Sequence, residues 1–137
     1  MMELSQTRKL VLLRIALGIV YVWFGALKFF PETSPADGLA KDTMDSLFFG
    51  LIPRETSILL LATMEVLIGL GFLLNFQVRL AVYVALFHMV CTFTPLFFFP
   101  DVAYRGPLIF TLVGQYIMKN IVFVAAMLLI LPQRRKT

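Results

Sequence analysis

Residues 107–131 read "PLIFTLVGQYIMKNIVFVAAMLLIL", twenty-five positions with one formal charge, Lys119. A run this apolar is long enough to cross a bilayer, which takes ~20 mostly apolar residues. Yet its middle, "GQYIMKN" at 114–120, carries Gln115, Tyr116, Lys119 and Asn120. Polar groups are costly in hydrocarbon, and where they occur inside a span they normally face the protein interior. This stretch therefore says two things: the chain lives in a membrane, and something in the bundle needs polar partners.

The rest of the chain agrees with the first statement. Three further segments, about 10–30, 57–75 and 79–99, are of similar apolarity. The 137 residues are 60% hydrophobic and 15% charged, with a mean hydropathy of +0.89. Soluble domains are less apolar and carry more charge. The expected fold class is all-α: an integral membrane four-helix bundle formed as a single transmembrane domain over 1–137. The first span is too long for the core of a cleavable signal peptide, and "KFFPETSPADG" at 28–38 offers no small-x-small cleavage site.

The net charge of +4 sits at the ends of the spans, which argues for a lipid surface and against nucleic acid. Arg8, Lys9, Arg14, Arg79, Arg134, Arg135 and Lys136 fall on one side of a four-span bundle. Lys41, Arg54 and Arg105 fall on the other, among Glu32, Asp37, Asp42, Asp45 and Glu55. The positive-inside rule then predicts that both termini are cytoplasmic.

Residues 31–56 form the only long connection. Pro31, Pro35 and Gly38 break helix there, and "MDSLFFGLIP" at 44–53 is apolar but too short to span. It is expected to lie in the interface or to cap the bundle. Pro53 and Pro107 suit the first turn of a following helix. Pro95 lies inside the third span and frees the carbonyl of Cys91, so a kink is expected.

Helical spacing identifies inward faces. Arg14, Gly18, Tyr21, Gly25 and Lys28 form one stripe on the first span, with small residues that let another backbone come close. Ala62, Glu65 and Gly69 share a face of the second span; Ala85, His88 and Thr92 share one of the third. On the fourth, Thr111, Gln115 and Lys119 align, with Tyr116 and Asn120 one step round. At ~1.5 Å per residue, Tyr21, Glu65 and Gln115 lie about 12–14 Å deep and His88 and Lys119 about 16–18 Å, whereas Lys28 is shallow. Glu65 and Lys119 are thus expected to pair, with Gln115 hydrogen-bonding one turn above.

Two readings of such a pair remain open. It is glue between helices, worth only ~0.6 kcal/mol for an average polar contact in a membrane. Alternatively it belongs to a site for a proton or a quinone-like ligand. His88 is either a hydrogen-bonded core residue or a proton relay. As the only histidine it cannot provide a bis-His haem site, and no carboxylate cluster suggests a di-metal centre. Cys91 is the sole cysteine, which excludes an internal disulfide and a CxxC redox centre.

Four stretches, "RIALGIVYVWFGALKFFP" at 14–31, "MEVLIGLGFLL" at 64–74, "TFTPLFFFP" at 92–100 and "GQYIMKN", resemble the DoxX-like family of small bacterial membrane proteins. The resemblance implies a four-helix membrane bundle in the bacterial inner membrane. It carries over Gly25, Lys28, Glu65, Gln115, Tyr116, Lys119 and Asn120 as family positions. It also implies a link to thiosulfate:quinone oxidoreduction or to oxidative stress. With no cysteine pair and no soluble domain, this chain would then act with a partner chain or a further copy of itself. Two functions follow as expectations. The first is a redox-linked membrane subunit that holds a quinone in a cavity lined by Tyr21, Lys28, Glu65, His88, Gln115, Tyr116 and Lys119, with Asn120 beside it. The second is a non-enzymatic assembly factor, chaperone or small transporter.

Overall fold

A computed structural model describes residues 4–31, 33 and 37–131. The basic cluster Arg134, Arg135 and Lys136 and the helix breaker Pro35 lie outside the described residues. In chain order the elements are α1 (Gln6–Leu27), α2 (Asp37–Leu47), α3 (Arg54–Leu73), α4 (Val78–Phe93), α5 (Pro95–Phe98), α6 (Pro100–Ala103), β1 (Tyr104–Gly106), β2 (Ile109–Phe110), α7 (Leu112–Met118) and α8 (Ile121–Ile130). Among the described residues, four stretches are long and apolar enough to cross a membrane: Gln6–Leu27, Arg54–Leu73, Val78–Phe98 and Leu112–Ile130. The chain is an all-α membrane bundle with a short helix, α2, between the first two spans.

The tightest packing joins α1 to α3, and the reason is in the glycines. A methyl group at Gly69 would fall 2.6 Å from Val22 Cγ2 and 2.7 Å from the Val22 nitrogen. One at Gly18 would meet Leu73 Cγ at 2.7 Å, and one at Gly25 would meet Glu65 Cβ at 2.9 Å. Without side chains at these three positions the two backbones touch, the packing mode that replaces the hydrophobic effect between helices in lipid. Arg14 closes one end by donating to the Phe72 carbonyl. Leu17, Tyr21, Ile68, Phe72, Val82 and Met127 fill the core between α1, α3, α4 and α8. Outward positions are large and apolar, as a lipid-facing surface requires: Leu67, Phe87, Val122 and Trp23 are all exposed.

The third span breaks where Pro95 predicts. The freed Cys91 carbonyl is taken up locally, accepting from the Thr94 backbone N–H at 3.2 Å and the Thr94 hydroxyl at 2.6 Å. Thr94 thus supplies the donors that the proline lacks.

Two expectations need correction. Pro107 does not open the fourth helix. Residues 104–110 form a β-hairpin that pairs Tyr104 with Phe110 and Gly106 with Ile109, and Leu108 takes a left-handed φ of 60°. The helix starts five residues after Pro107, where the Thr111 hydroxyl caps it by accepting from the Gly114 N–H at 3.1 Å. Similarly, Pro53 sits at the N-cap of α3 rather than in its first turn.

The long connection contains more helix than its apolar half suggests. α2 places Leu39, Ala40, Thr43, Met44 and Leu47 on one face, turned toward the bundle, and its charges on the other. Lys41 bridges Asp37 at 2.9 Å and Glu55 at 3.2 Å, and Arg54 pairs with Asp42 and, at 3.4 Å, with Asp45. Hydrogen bonds from the Lys41 ammonium to Asp37 and then Glu55 raise its pKa above the ordinary value. Singly, exposed pairs of this kind stabilise little; together they tie α2 to the start of α3. Beyond α2, Phe49 and Leu51 project from the surface, as side chains dipping into an interface would.

Candidate ligand cavity

A cavity of about 410 Å³ lies beneath α2, walled by α1, α3, α4, α7 and α8. A row of polar side chains runs along its buried wall. Lys28 Nζ is 2.8 Å from Glu65 Oε2, with the two side chains 10% and 7% exposed. Glu65 Oε1 is 3.1 Å from His88 Nε2, and His88 Nδ1 is 3.2 Å from the Tyr21 hydroxyl. One assignment satisfies the whole row: Tyr21 donates to Nδ1, so Nε2 carries the imidazole proton and donates to Glu65. Lys28 neutralises the carboxylate from the other side and also donates to the Phe24 carbonyl at 3.3 Å. Glu65 Oε2 has the Lys28 charge beside it but no well-directed hydrogen bond. His88 is therefore a hydrogen-bonded histidine at the centre of a charge network.

The partner of Glu65 is Lys28 and not Lys119, which corrects the expected pair. Two physical causes account for it. Gly25 brings the α1 backbone against Glu65, so the residue one turn on from Gly25 is within reach. Helical side chains also lean toward the N-terminus of their helix. Lys28, at the end of α1, thus leans back into the bundle, and counting Cα depth alone places its ammonium too near the surface. Lys119 lies on the far wall, its Nζ 3.7 Å from the centre of the Tyr116 ring.

Gln115 also departs from expectation. It is exposed and does not line the cavity. The buried positions of α7 are Gly114 and Ile117, with Asn120 following in phase. Gly114 packs so closely on the Ala103 carbonyl that no side chain fits. The inward face is thus rotated by about 100° from the one containing Thr111, Gln115 and Lys119. Tyr21, Lys28, Glu65, His88, Tyr116, Lys119 and Asn120 all line the same cavity. Tyr116 is half-exposed and meets Phe24 edge-on, with 6.5 Å between ring centres.

Lys119 and Asn120 lie where the fourth span is interrupted. α7 ends at Met118 and α8 begins at Ile121, with tightened hydrogen bonds from Asn120 N–H to Ile117 at 3.0 Å and from Val122 N–H to Lys119 at 3.0 Å. No proline marks this break, so its position is invisible to a search for helix breakers. The cap expected of the 31–56 connection is supplied by α2, through Leu39, Thr43, Met44 and Leu47. Their spacing of four, one and three is a helical stripe that a periodicity search over 37–47 would find.

Comparison with known proteins adds one finding. The chain matches the DoxX family over residues 9–100, which is most of its length. No curated protein and no solved structure matches it. The matched stretch includes Gly25, Lys28, Glu65 and His88, and it ends before the fourth span and its "GQYIMKN". With four helices able to cross a bilayer and a family match over most of its residues, the chain belongs to the DoxX family and is a multi-pass membrane protein.

Proposed function

We propose that the protein binds a small, flat, lipid-soluble molecule of the quinone head-group class in this cavity, and that it serves as the membrane subunit of a redox-linked system. The observation that carries the reading is the cavity's construction: about 410 Å³, mostly apolar, with a fixed polar row on one wall and Tyr116, Lys119 and Asn120 on the other. Small-molecule sites have this form, an apolar enclosure of ~300–1,000 Å³ with few convergent polar groups. A quinone supplies redox chemistry when bound, and this chain's side chains have separate tasks around it. Lys119, Asn120 and the Tyr116 hydroxyl supply hydrogen bonds to carbonyl oxygens. The Tyr21–His88–Glu65 row holds protons at defined atoms and gives a proton somewhere to go. Lys28 sets a positive charge beside the Glu65 carboxylate. In this reading the electrons are exchanged with a partner chain, and the one cysteine of this chain, Cys91, provides no internal dithiol.

The test is extraction. Protein purified in mild detergent from its producing membrane should retain a lipid-soluble ring compound at close to one per chain, measured by mass spectrometry of the organic extract. Leu61→Trp, which adds bulk to the cavity wall, should lose it while remaining folded. Wild-type protein that carries only bulk membrane lipid in the same proportion as the Leu61→Trp variant would replace this reading with that of a non-enzymatic assembly protein.

A further inference from the structure

The charges around the cavity do not cancel. Lys28 and Glu65 neutralise each other, and the two ring nitrogens of His88 are taken up by Tyr21 and Glu65. That leaves Lys119. It lines the cavity, and no ion pair joins it to any described carboxylate; its contact is the face of the Tyr116 ring. Its neighbour Asn120 is buried, lines the same cavity, and makes no side-chain hydrogen bond to another described residue. A lone cation next in sequence to an amide that has no described partner, both lining a cavity within a membrane span, marks a place where a polar group of opposite charge belongs.

The cavity also has a direction. Tyr21, Glu65 and His88 are buried at its back, whereas Leu112, Val113, Tyr116 and Lys119 at its front are exposed. α1 packs closely on α8, below the break in the fourth span, while above the break α7 meets α1 chiefly through the Phe24–Tyr116 edge contact. The exposed lining residues lie on the fourth span, so that side of the cavity is the one open to lipid, and Lys119 stands there.

We propose that the ligand is held as an anion: a lipid-soluble acid that enters from the bilayer, seats its oxyanion between the Lys119 ammonium and the Asn120 amide, and lays its apolar body against Leu61, Met89 and Phe123. This rests on the reading of the cavity as a site for a lipid-soluble molecule and specifies the charge of that molecule. A ring hydroxyl made acidic by neighbouring carbonyls and a fatty carboxylate share the required chemistry. A Lys119 that merely snorkels toward the interface would show no such selectivity.

The experiment compares three probes on the purified full chain in detergent at mildly alkaline pH: an alkylated hydroxynaphthoquinone, its methyl ether, and dodecanoate. The hydroxy compound should bind at least about tenfold more tightly than the ether, the scale of one charge-assisted hydrogen bond, and its visible absorption should report the anion. Lys119→Met should abolish the difference between the hydroxy compound and its ether, and Lys119→Arg should preserve it. Equal binding of acid and ether, or a preference that survives Lys119→Met, overturns the proposal and leaves the quinone reading standing. Binding of dodecanoate alone, dependent on Lys119, upholds the proposal and removes the quinone reading. Failure of all three probes removes both.

Discussion

Glu65→Gln should destabilise the detergent-purified protein by about 3–5 kcal/mol, the cost of leaving a buried charge without its partner. The charge left behind is that of Lys28, whose Nζ sits 2.8 Å from Glu65 Oε2 inside the bundle. Glutamine keeps the volume and can still accept from His88, so the loss reports mainly the missing negative charge. Lys28→Met alone should be similarly harmful because it strands Glu65. The double variant should be milder than the sum of the two by at least about 1 kcal/mol, since contacting groups do not behave additively. The same cycle run with Glu65→Gln and Lys119→Met should be additive, because Lys119 lies against Tyr116 on the opposite wall. Thermal or denaturant unfolding of six proteins measures both cycles. Coupling of Glu65 to Lys119 in place of Lys28 would mean that the charge network has been assigned to the wrong helices.

Gly69→Val should be the most damaging single change on the α1–α3 seam. Its first added carbon would lie 2.7 Å from the Val22 nitrogen and 2.8 Å from the Gly18 carbonyl oxygen. Those are backbone atoms, and no rotamer change can move them. The helices must separate, which costs about 1–3 kcal/mol from overpacking and also pulls Lys28 away from Glu65. The expected result is loss of monodisperse protein on size exclusion, or a steep drop in melting temperature. Gly38→Ala provides the contrast. Nothing lies within 4 Å of a methyl group there. In the helical context of α2 it should be neutral or stabilise by about 0.5–1 kcal/mol. If both glycines tolerate substitution equally, close backbone contact does not hold the first two spans together.

The spans are legible in the sequence because the bilayer demands ~20 apolar residues at a time, and that demand leaves a signal no shorter feature imitates. Pro95 is legible for an equally direct reason, a missing N–H. Most of the site is legible too, since Tyr21, Lys28, Glu65, His88, Tyr116, Lys119 and Asn120 are the polar residues of otherwise apolar helices. Their pairing is not. Which lysine reaches Glu65 depends on stem direction and on how closely Gly25 lets α1 approach, and neither enters a count of helical rise. The inward face of α7 is hidden for a related reason: Gly114 and Ile117, not the polar residues, determine the side that packs inward, so Gln115 is left outside. The hairpin at 104–110 was hidden by its own apolarity, although "GP" at 106–107 is a turn signal.

The central claim is that the polar groups of this membrane bundle surround a ligand and are not merely fastening one another. An experimental structure of the protein in lipid nanodiscs, prepared from its producing membrane with nothing added, tests this most directly. The account predicts non-protein density between α2 and the fourth span, within hydrogen-bonding distance of Lys119 and Asn120 and entering between Phe24 and Tyr116. A bundle in which α7 closes on α1, with Lys119 turned to the lipid interface and the space filled by side chains, would contradict it.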